Sequence, residues 1–192
     1  MVIYKLKEDT LSLHVLNVGN GDSLVVELPK EENQTTRSHI IVDCFKAEKT
    51  LDYLNKLGVQ DIKLVVATHP HEDHILGLKE VMEHYPNNIE QFWDSGFRHN
   101  IDAWYELIEY IKNRKNITFI RPTSGMTLLI AGVEITVIAP SIYMRNRYDT
   151  FGVNINNASI VLKLTYAGKT MILGGDAQWD SWGKITEEFP HY

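Results

Sequence analysis

The feature that most constrains this chain is the hexapeptide His-Pro-His-Glu-Asp-His at residues 69–74. Three of the eight histidines fall within it, together with two carboxylates. Neutral imidazole and carboxylate are ligands that zinc and similar divalent ions accept in proteins. The spacing therefore predicts a metal site, and the alternative is a helix-capping turn with coincidental histidines.

The segments that flank the hexapeptide indicate where this site lies in the fold. Residues 62–67 form a short apolar run with β-branched side chains, which is typical of a strand buried on both faces. Residues 75–82 continue with helical spacing. The candidate ligands therefore follow a buried strand and precede a helix, where a rigid strand fixes the origin of the loop.

Composition narrows the class of protein. The chain has 192 residues, 44% of them hydrophobic and 23% charged, which is ordinary for one globular domain. Its formal net charge of -6 does not favour loose binding to nucleic acid. The single cysteine, Cys44, forms no intrachain disulfide, and no apolar run is long enough for a signal core or a membrane span. We expect a cytoplasmic protein without a membrane partner.

Hydrophobic periodicity and turn residues predict a mixed α+β organisation. Predicted hairpins cover residues 11–28 and 126–139, with further strands at 39–43, 62–67, 89–93, 117–120, 159–166 and 170–173. Predicted helices cover residues 46–57, 75–84, 101–115 and 179–189, and residues 141–157 are predicted to be irregular. This alternation suggests sheets packed together with helices on their outer faces.

Four segments, in this order along the chain, resemble the metallo-β-lactamase superfamily and, more narrowly, its ComEC-like soluble hydrolase branch. They are Leu-Asn-Val-Gly-Asn-Gly-Asp-Ser at 16–23, Ile-Ile-Val-Asp at 40–43, Thr-His-Pro-His-Glu-Asp-His at 68–74, and Asn-Asn-Ala-Ser-Ile-Val-Leu at 156–162 leading into Leu-Gly-Gly-Asp at 173–176. The resemblance implies one domain over residues 1–192 with the αββα sandwich fold and a metal site at one edge between the two sheets.

The resemblance also implies a ligand set. His69 and His71 would bind a first ion, Asp73 and His74 a second, and Asp176 would bridge both. The implied cofactor is one or two divalent ions, with zinc as the first expectation and manganese as the second. Manganese is considered because asparagines occupy residues 154, 156 and 157, where many hydrolases of the superfamily place a histidine.

Three further residues are candidates for supporting roles. Asp43 matches an acidic residue behind the site that would orient a ligand histidine, and its alternative role is that of a strand-end turn residue. Asp22 either faces the site or stabilises its own glycine-rich turn. Asn157 is the asparagine closest to the following strand.

The function implied is a metal-dependent hydrolase of phosphodiester or related ester bonds that uses a metal-activated water, with Asp73 and Asp176 as catalytic residues that orient it. The expected substrate is a small anionic molecule, a nucleotide or a nucleic acid. The alternative is a catalytically incomplete metal-binding or interaction domain, or a subunit completed by another chain.

The alternative arises because the family usually supplies a further histidine well after the bridging aspartate. The chain ends sixteen residues after Asp176, and His191 lies in surroundings that do not match that motif. The sandwich is therefore expected to be short or truncated at its C-terminus, and an uncovered sheet edge would favour a homo-oligomer.

Other polar residues have weaker signals. His14, His84 and His99 lack partners at ligand spacing, which favours surface or core roles for them. Arg145 and Arg147 lie in the polar segment and could meet an anionic substrate, although charged loop residues are more often simply exposed.

Overall fold

Two β-sheets packed face to face form the centre of the molecule. The structure is a computed structural model that describes residues 9–151 and 154–191. The first sheet has strand order β1-β2-β3-β4-β5-β6, antiparallel from β1 to β3 and parallel from β3 to β6. Its strands are β1 (Ser12–Val15), β2 (Ser23–Glu27), β3 (His39–Cys44), β4 (Ile62–Ala67), β5 (Ile89–Asp94) and β6 (Thr118–Ile120).

The second sheet is antiparallel, with strand order β10-β9-β8-β7. Its strands are β7 (Thr127–Ile130), β8 (Val133–Ala139), β9 (Val161–Tyr166) and β10 (Lys169–Leu173). Both predicted hairpins are confirmed, since β1 pairs with β2 and β7 pairs with β8.

The helices lie outside the two sheets, which completes the predicted α+β layering. They are α1 (Ala47–Leu57), α2 (Glu72–Ile75), α3 (Leu78–His84), α4 (Asp102–Lys112), α5 (Ile142–Phe151) and α6 (Trp179–Glu188), with a 3₁₀ helix at Ile155–Ala158. None of the helices described is both long and apolar enough to cross a membrane.

Strand β4 is buried on both faces, as its apolar run predicts. Val65 packs into the core beneath the helices, whereas Leu64 and Val66 pack between the two sheets. Because successive side chains of a strand point to opposite faces, each face of β4 needs apolar residues. The strand is therefore a rigid support for the loop that follows it.

Two predicted segments differ from the structure. The predicted helix at 75–84 is broken at Gly77, whose backbone N–H donates to the Cys44 carbonyl at 2.8 Å and ends α2 against β3. The segment at 141–157 contains α5 and the 3₁₀ helix, so the prediction of irregular structure there was wrong. Helix α5 starts where the Ser141 hydroxyl accepts from the Met144 N–H, a cap of the kind that stabilises a first turn.

Candidate metal centre

The hexapeptide leaves the end of β4 and turns at once into α2. Thr68 and His69 are buried directly after the strand, and His74 is buried within α2. His71, at the start of that helix, is half-buried. The chain therefore returns its three imidazoles to the same edge of the sandwich.

The carboxylate of Asp176 lies between two of these histidines. One oxygen, Oδ2, is 3.9 Å from His69 Nε2, and the other, Oδ1, is 3.4 Å from His74 Nε2. His71 Nδ1 is 2.9 Å from His69 Nε2. The structure thus brings together four of the residues that the sequence singles out.

The glycine before Asp176 allows this aspartate to approach the histidine loop. Gly175 has φ of +48°, and a Cβ at that position would lie 3.1 Å from the side chains of Ser159 and Thr68. The Asp176 N–H then donates to the Ser159 hydroxyl at 3.2 Å. Glycine precedes the aspartate because a side chain at residue 175 would collide with the neighbouring side chains and would disfavour the positive φ.

Asp43 is fully buried behind the histidines and accepts three hydrogen bonds. Its Oδ1 accepts from the Thr68 N–H at 2.8 Å, and its Oδ2 accepts from the Thr68 hydroxyl at 2.6 Å. His74 Nδ1 is 2.8 Å from the same Oδ2, so His74 donates its Nδ1 proton to the carboxylate. In the neutral form of the ring, the Nε2 atom of His74 keeps a lone pair on the side of Asp176, where a bound cation would take the place of a proton.

The same carboxylate determines the tautomer of His69 through Thr68. The hydroxyl of Thr68 has one proton, which it donates to Asp43, so it can only accept from His69 Nδ1 at 3.1 Å. The Ser159 hydroxyl lies 3.3 Å from that nitrogen on another side. His69 therefore carries its proton on Nδ1, and its Nε2 lone pair faces His71 and Asp176.

The electrostatics of the three histidines differ. Burial, together with the neighbouring rings of His74 and His71, lowers the pKa of His69 to about 2. Burial also lowers the pKa of His71, with His99 as the next cause. Burial opposes protonation of His74 as well, but the hydrogen bond and charge of Asp43, with Asp176 and Asp22, raise its pKa to about 9.

The donor set fits a divalent cation. His69, His71 and Asp176 each offer one ligand atom, and these atoms lie within 4.8 Å of one another. Asp22, Asp43 and His74 form a second such group. Imidazole nitrogens with free lone pairs and carboxylate oxygens are the ligands that zinc and related ions take.

The other predicted residues lie in different environments. Asp22 faces His74, and its backbone N–H donates to the Asp73 carbonyl at 3.1 Å. The Asp73 carboxylate belongs to neither group among the residues described, although its charge acts on His71. Asn157 is directed elsewhere, because its Oδ1 accepts from the backbone N–H groups of Gln178 and Ser181 at the start of α6.

The spacing argument missed three residues near the site. His99, in the loop after β5, packs its ring 5.3 Å from that of His71, centroid to centroid. Thr68 and Ser159 hold the Nδ1 side of His69. Thr68 and Ser159 lie within segments that carry the family resemblance, whereas no motif marked His99.

Arg145 is not a free loop residue, because it lies in α5 and its guanidinium is bound to backbone carbonyls. Its Nη2 atom donates to the carbonyls of Ser95 and Pro122, at 2.9 and 2.7 Å, and Nη1 donates to that of Arg121 at 3.4 Å. The guanidinium thus attaches α5 to the loops that follow β5 and β6.

Comparison with known proteins gives a family match for most of the chain. Residues 16–179 match the family model described as the metallo-beta-lactamase superfamily. A curated relative, hydroxyacylglutathione hydrolase of Prochlorococcus marinus (strain MIT 9312), is 28% identical over 141 residues, which are 72% of this chain and 48% of that protein. The chain therefore spans about half the length of this relative.

Solved structures share the fold at low sequence identity. The metallo-beta-lactamase fold protein YhfI from Bacillus subtilis has a TM-score of 0.55 at 13% identity, covering 86% of this chain and 62% of that one. CmlA, a diiron beta-hydroxylase from Streptomyces venezuelae, has a TM-score of 0.54 at 11% identity, covering 97% of this chain and 34% of that one.

Proposed function

The chain belongs to the metallo-beta-lactamase superfamily, and on that premise we propose that it is a divalent-metal-dependent hydrolase of ester-type bonds. The observation that carries the proposal is the position of the Asp176 carboxylate between His69 Nε2 and His74 Nε2, at 3.9 and 3.4 Å. A helix-capping turn would not need this convergence from a segment about one hundred residues away.

The residues of the site have separate tasks in this proposal. His69, His71 and Asp176 would hold a first ion, and His74 with Asp176 and Asp73 or Asp22 a second. A divalent cation, when bound, supplies a Lewis acid that lowers the pKa of water. Asp176, whose side chain is 40% exposed, can accept a hydrogen bond from an attacking water and orient it. Asp43 and Thr68 keep two imidazoles in the tautomer that leaves Nε2 free.

The proposed substrate is an anionic ester, with a phosphodiester as the first candidate because of the resemblance to the ComEC-like branch. A thioester is the rival, because the curated relative is named as a hydroxyacylglutathione hydrolase. The net charge of -6 favours a small substrate or a nucleotide over a long duplex.

A second candidate is a domain that binds metal without turnover, or a subunit that another copy completes. It is favoured by one observation: the candidate ligand groups among the described residues have three members each, and the Asp73 carboxylate is in neither. A cation with three protein ligands still needs further donors, which would be water, substrate or another chain.

The test begins with the metal content of purified protein, followed by assays on bis-p-nitrophenyl phosphate and on a thioester with added zinc or manganese. Variants His71→Ala and Asp176→Asn remove proposed ligands, Asp73→Ala tests the predicted catalytic aspartate, and His84→Ala is the matched control because His84 is exposed at the end of α3. We expect turnover that the ligand variants abolish and the control retains.

The other outcomes separate the candidates. Stoichiometric metal without turnover of either ester contradicts the hydrolase and supports the metal-binding domain. Specific activity, the turnover per mole of protein, that rises with protein concentration in parallel with dimer formation supports a site completed by a second copy.

A further inference from the structure

A fourth histidine lies at the site, contributed by a different element from the hexapeptide. His99 is half-buried in the loop between β5 and α4, and its ring meets that of His71 edge-on, at 77° between planes. No hydrogen bond to either ring nitrogen of His99 is formed within the residues described. Both nitrogens are therefore available to a ligand.

The spacing of the rings is that of co-ligands. Two imidazoles on one tetrahedral zinc, each bound at about 2.0–2.1 Å, place their ring centroids about 5 Å apart. The centroids of His69 and His71 are 4.7 Å apart, and those of His71 and His99 are 5.3 Å apart. The distance between the rings of His71 and His99 is thus similar to the distance between the rings of His69 and His71.

The part of the loop between β5 and His99 is held in place by contacts with the protein interior and with Arg145. Phe97 is 1% exposed and anchors it in the interior. Gly96 has φ of +86°, and the Arg145 side chain covers it, with Nε 3.2 Å from the place of a Cβ. Arg145 also binds the Ser95 carbonyl, so a fixed backbone presents the His99 side chain to the site.

We propose that His99 is the third imidazole ligand of the cation held by His69, His71 and Asp176. The inference rests on the proposed function. His99 would add a third nitrogen donor to the two that His69 and His71 supply. His99 lies outside the set whose ligand atoms are all within 4.8 Å of one another, so metal loading rotates its side chain inward. No backbone change is needed, because the loop already places the ring against His71.

The first measurement is zinc affinity by competition with a chromophoric chelator. We expect His99→Ala to weaken zinc binding by at least about 100-fold, more than is typical of a residue that only supports a ligand. His84→Ala, an exposed histidine away from the site, should bind zinc like the wild type. Urea unfolding of both variants in EDTA, matching the wild type, shows that the fold is intact.

The second measurement uses the unaltered protein. Long-range ¹H–¹⁵N NMR of the imidazoles should show one His99 ring nitrogen moving to the position of a metal-bound nitrogen when zinc is added. A residue that merely packs beside His71 would keep the nitrogen shifts of a free ring.

Unchanged zinc affinity in His99→Ala, or an unshifted His99 nitrogen while those of His69 and His71 move, would overturn the assignment. Failure of the proposed function looks different: zinc binds and His99 responds, but neither ester is hydrolysed. Wild-type protein that binds no zinc contradicts both.

Discussion

At the scale of single residues, Asp43 has the widest influence on the site. Its carboxylate binds His74 directly and reaches His69 through the hydroxyl of Thr68. One buried aspartate therefore sets the proton positions of two imidazoles that belong to the same hexapeptide. Groups behind metal ligands act in this way, because they fix the ring orientation and the basicity of the ligand.

Thr68 provides a sharp test of this relay. Thr68→Val keeps the shape of the side chain but removes the hydroxyl, so we expect zinc affinity to fall roughly 10-fold or more. Thr68→Ser keeps the hydroxyl and should bind zinc nearly as well as the wild type. Chelator competition measures both, and equal affinities for the valine and serine variants would contradict the relay.

A second residue-scale prediction concerns His39, which is 4% exposed at the start of β3. Burial lowers the pKa of His39, and Glu27, Arg37 and His14 are the charged groups that act on it. Since the folded-state pKa lies below that of the unfolded chain, the unfolded chain binds the proton first. Stability is therefore lost as the pH falls below about 6.5, the ordinary value for histidine.

We expect wild-type protein to lose more stability between pH 7.5 and 5.5 than His39→Leu does. The difference should be at most about 1.4 kcal/mol, because pH 5.5 lies about one unit below the pKa of histidine in the unfolded chain. Urea unfolding at both pH values measures it, with His84→Leu as the control for an exposed histidine. Parallel losses in His39→Leu and wild type would show that His39 titrates normally in the folded protein.

At the scale of elements, the break between α2 and α3 seats the histidine loop on the sheet. Gly77 lies at this break, and a Cβ there would come within 2.6 Å of the Ala47 backbone nitrogen and 2.8 Å of Cys44 Sγ. Its φ is ordinary, so the requirement for glycine is one of space. The close contact holds α2, and His74 with it, against the end of β3.

Gly77→Ala should destabilise the protein by about 1–3 kcal/mol, because the backbone of α1 cannot move aside easily. The matched control is Gly183→Ala in α6, where an added Cβ meets nothing within 4 Å. That change should stabilise the protein by up to about 1 kcal/mol through helix propensity. Urea unfolding checks both, and a Gly77→Ala variant as stable as the wild type would contradict the packing argument.

The elements themselves were largely predictable, and the exceptions have physical causes. The apolar run of β4 and the amphipathic spacing of α4 are strong local signals, and both elements are present. Helix α5 was missed because its sequence is polar with little helical periodicity. Its attachment comes instead from Arg145, whose three carbonyl acceptors lie far away in the sequence.

At the scale of the whole molecule, the site joins segments that are distant along the chain. Residues from the β1–β2 turn, the end of β3, the loop after β4 and the loop after β10 meet at one edge between the sheets. A cation held there would link both sheets and would bind the folded chain in preference to the unfolded one.

Metal should therefore raise the thermal stability of the protein. At a free zinc concentration 100 times the dissociation constant, the gain in free energy of unfolding is about 2.7 kcal/mol. Among the residues that the structure describes, Asp176 is the one ligand candidate from the second sheet's side of the site, so Asp176→Ala should lose most of that gain. Thermal unfolding with zinc and with EDTA measures the effect, and an equal rise in the variant would contradict the site.

The sequence by itself determined the fold class and the composition of the candidate site. Alternating strand and helix patterns predicted the layers, and the dense hexapeptide marked His69, His71 and His74, because local spacing alone concentrates these donors. Only the tertiary structure decided that Asn157 caps α6, that Thr68 relays Asp43 to His69, and that His99 stands beside His71. No sequence periodicity relates the residues in these contacts. The contacts form because the packing of the two sheets brings the ends of particular strands to one edge.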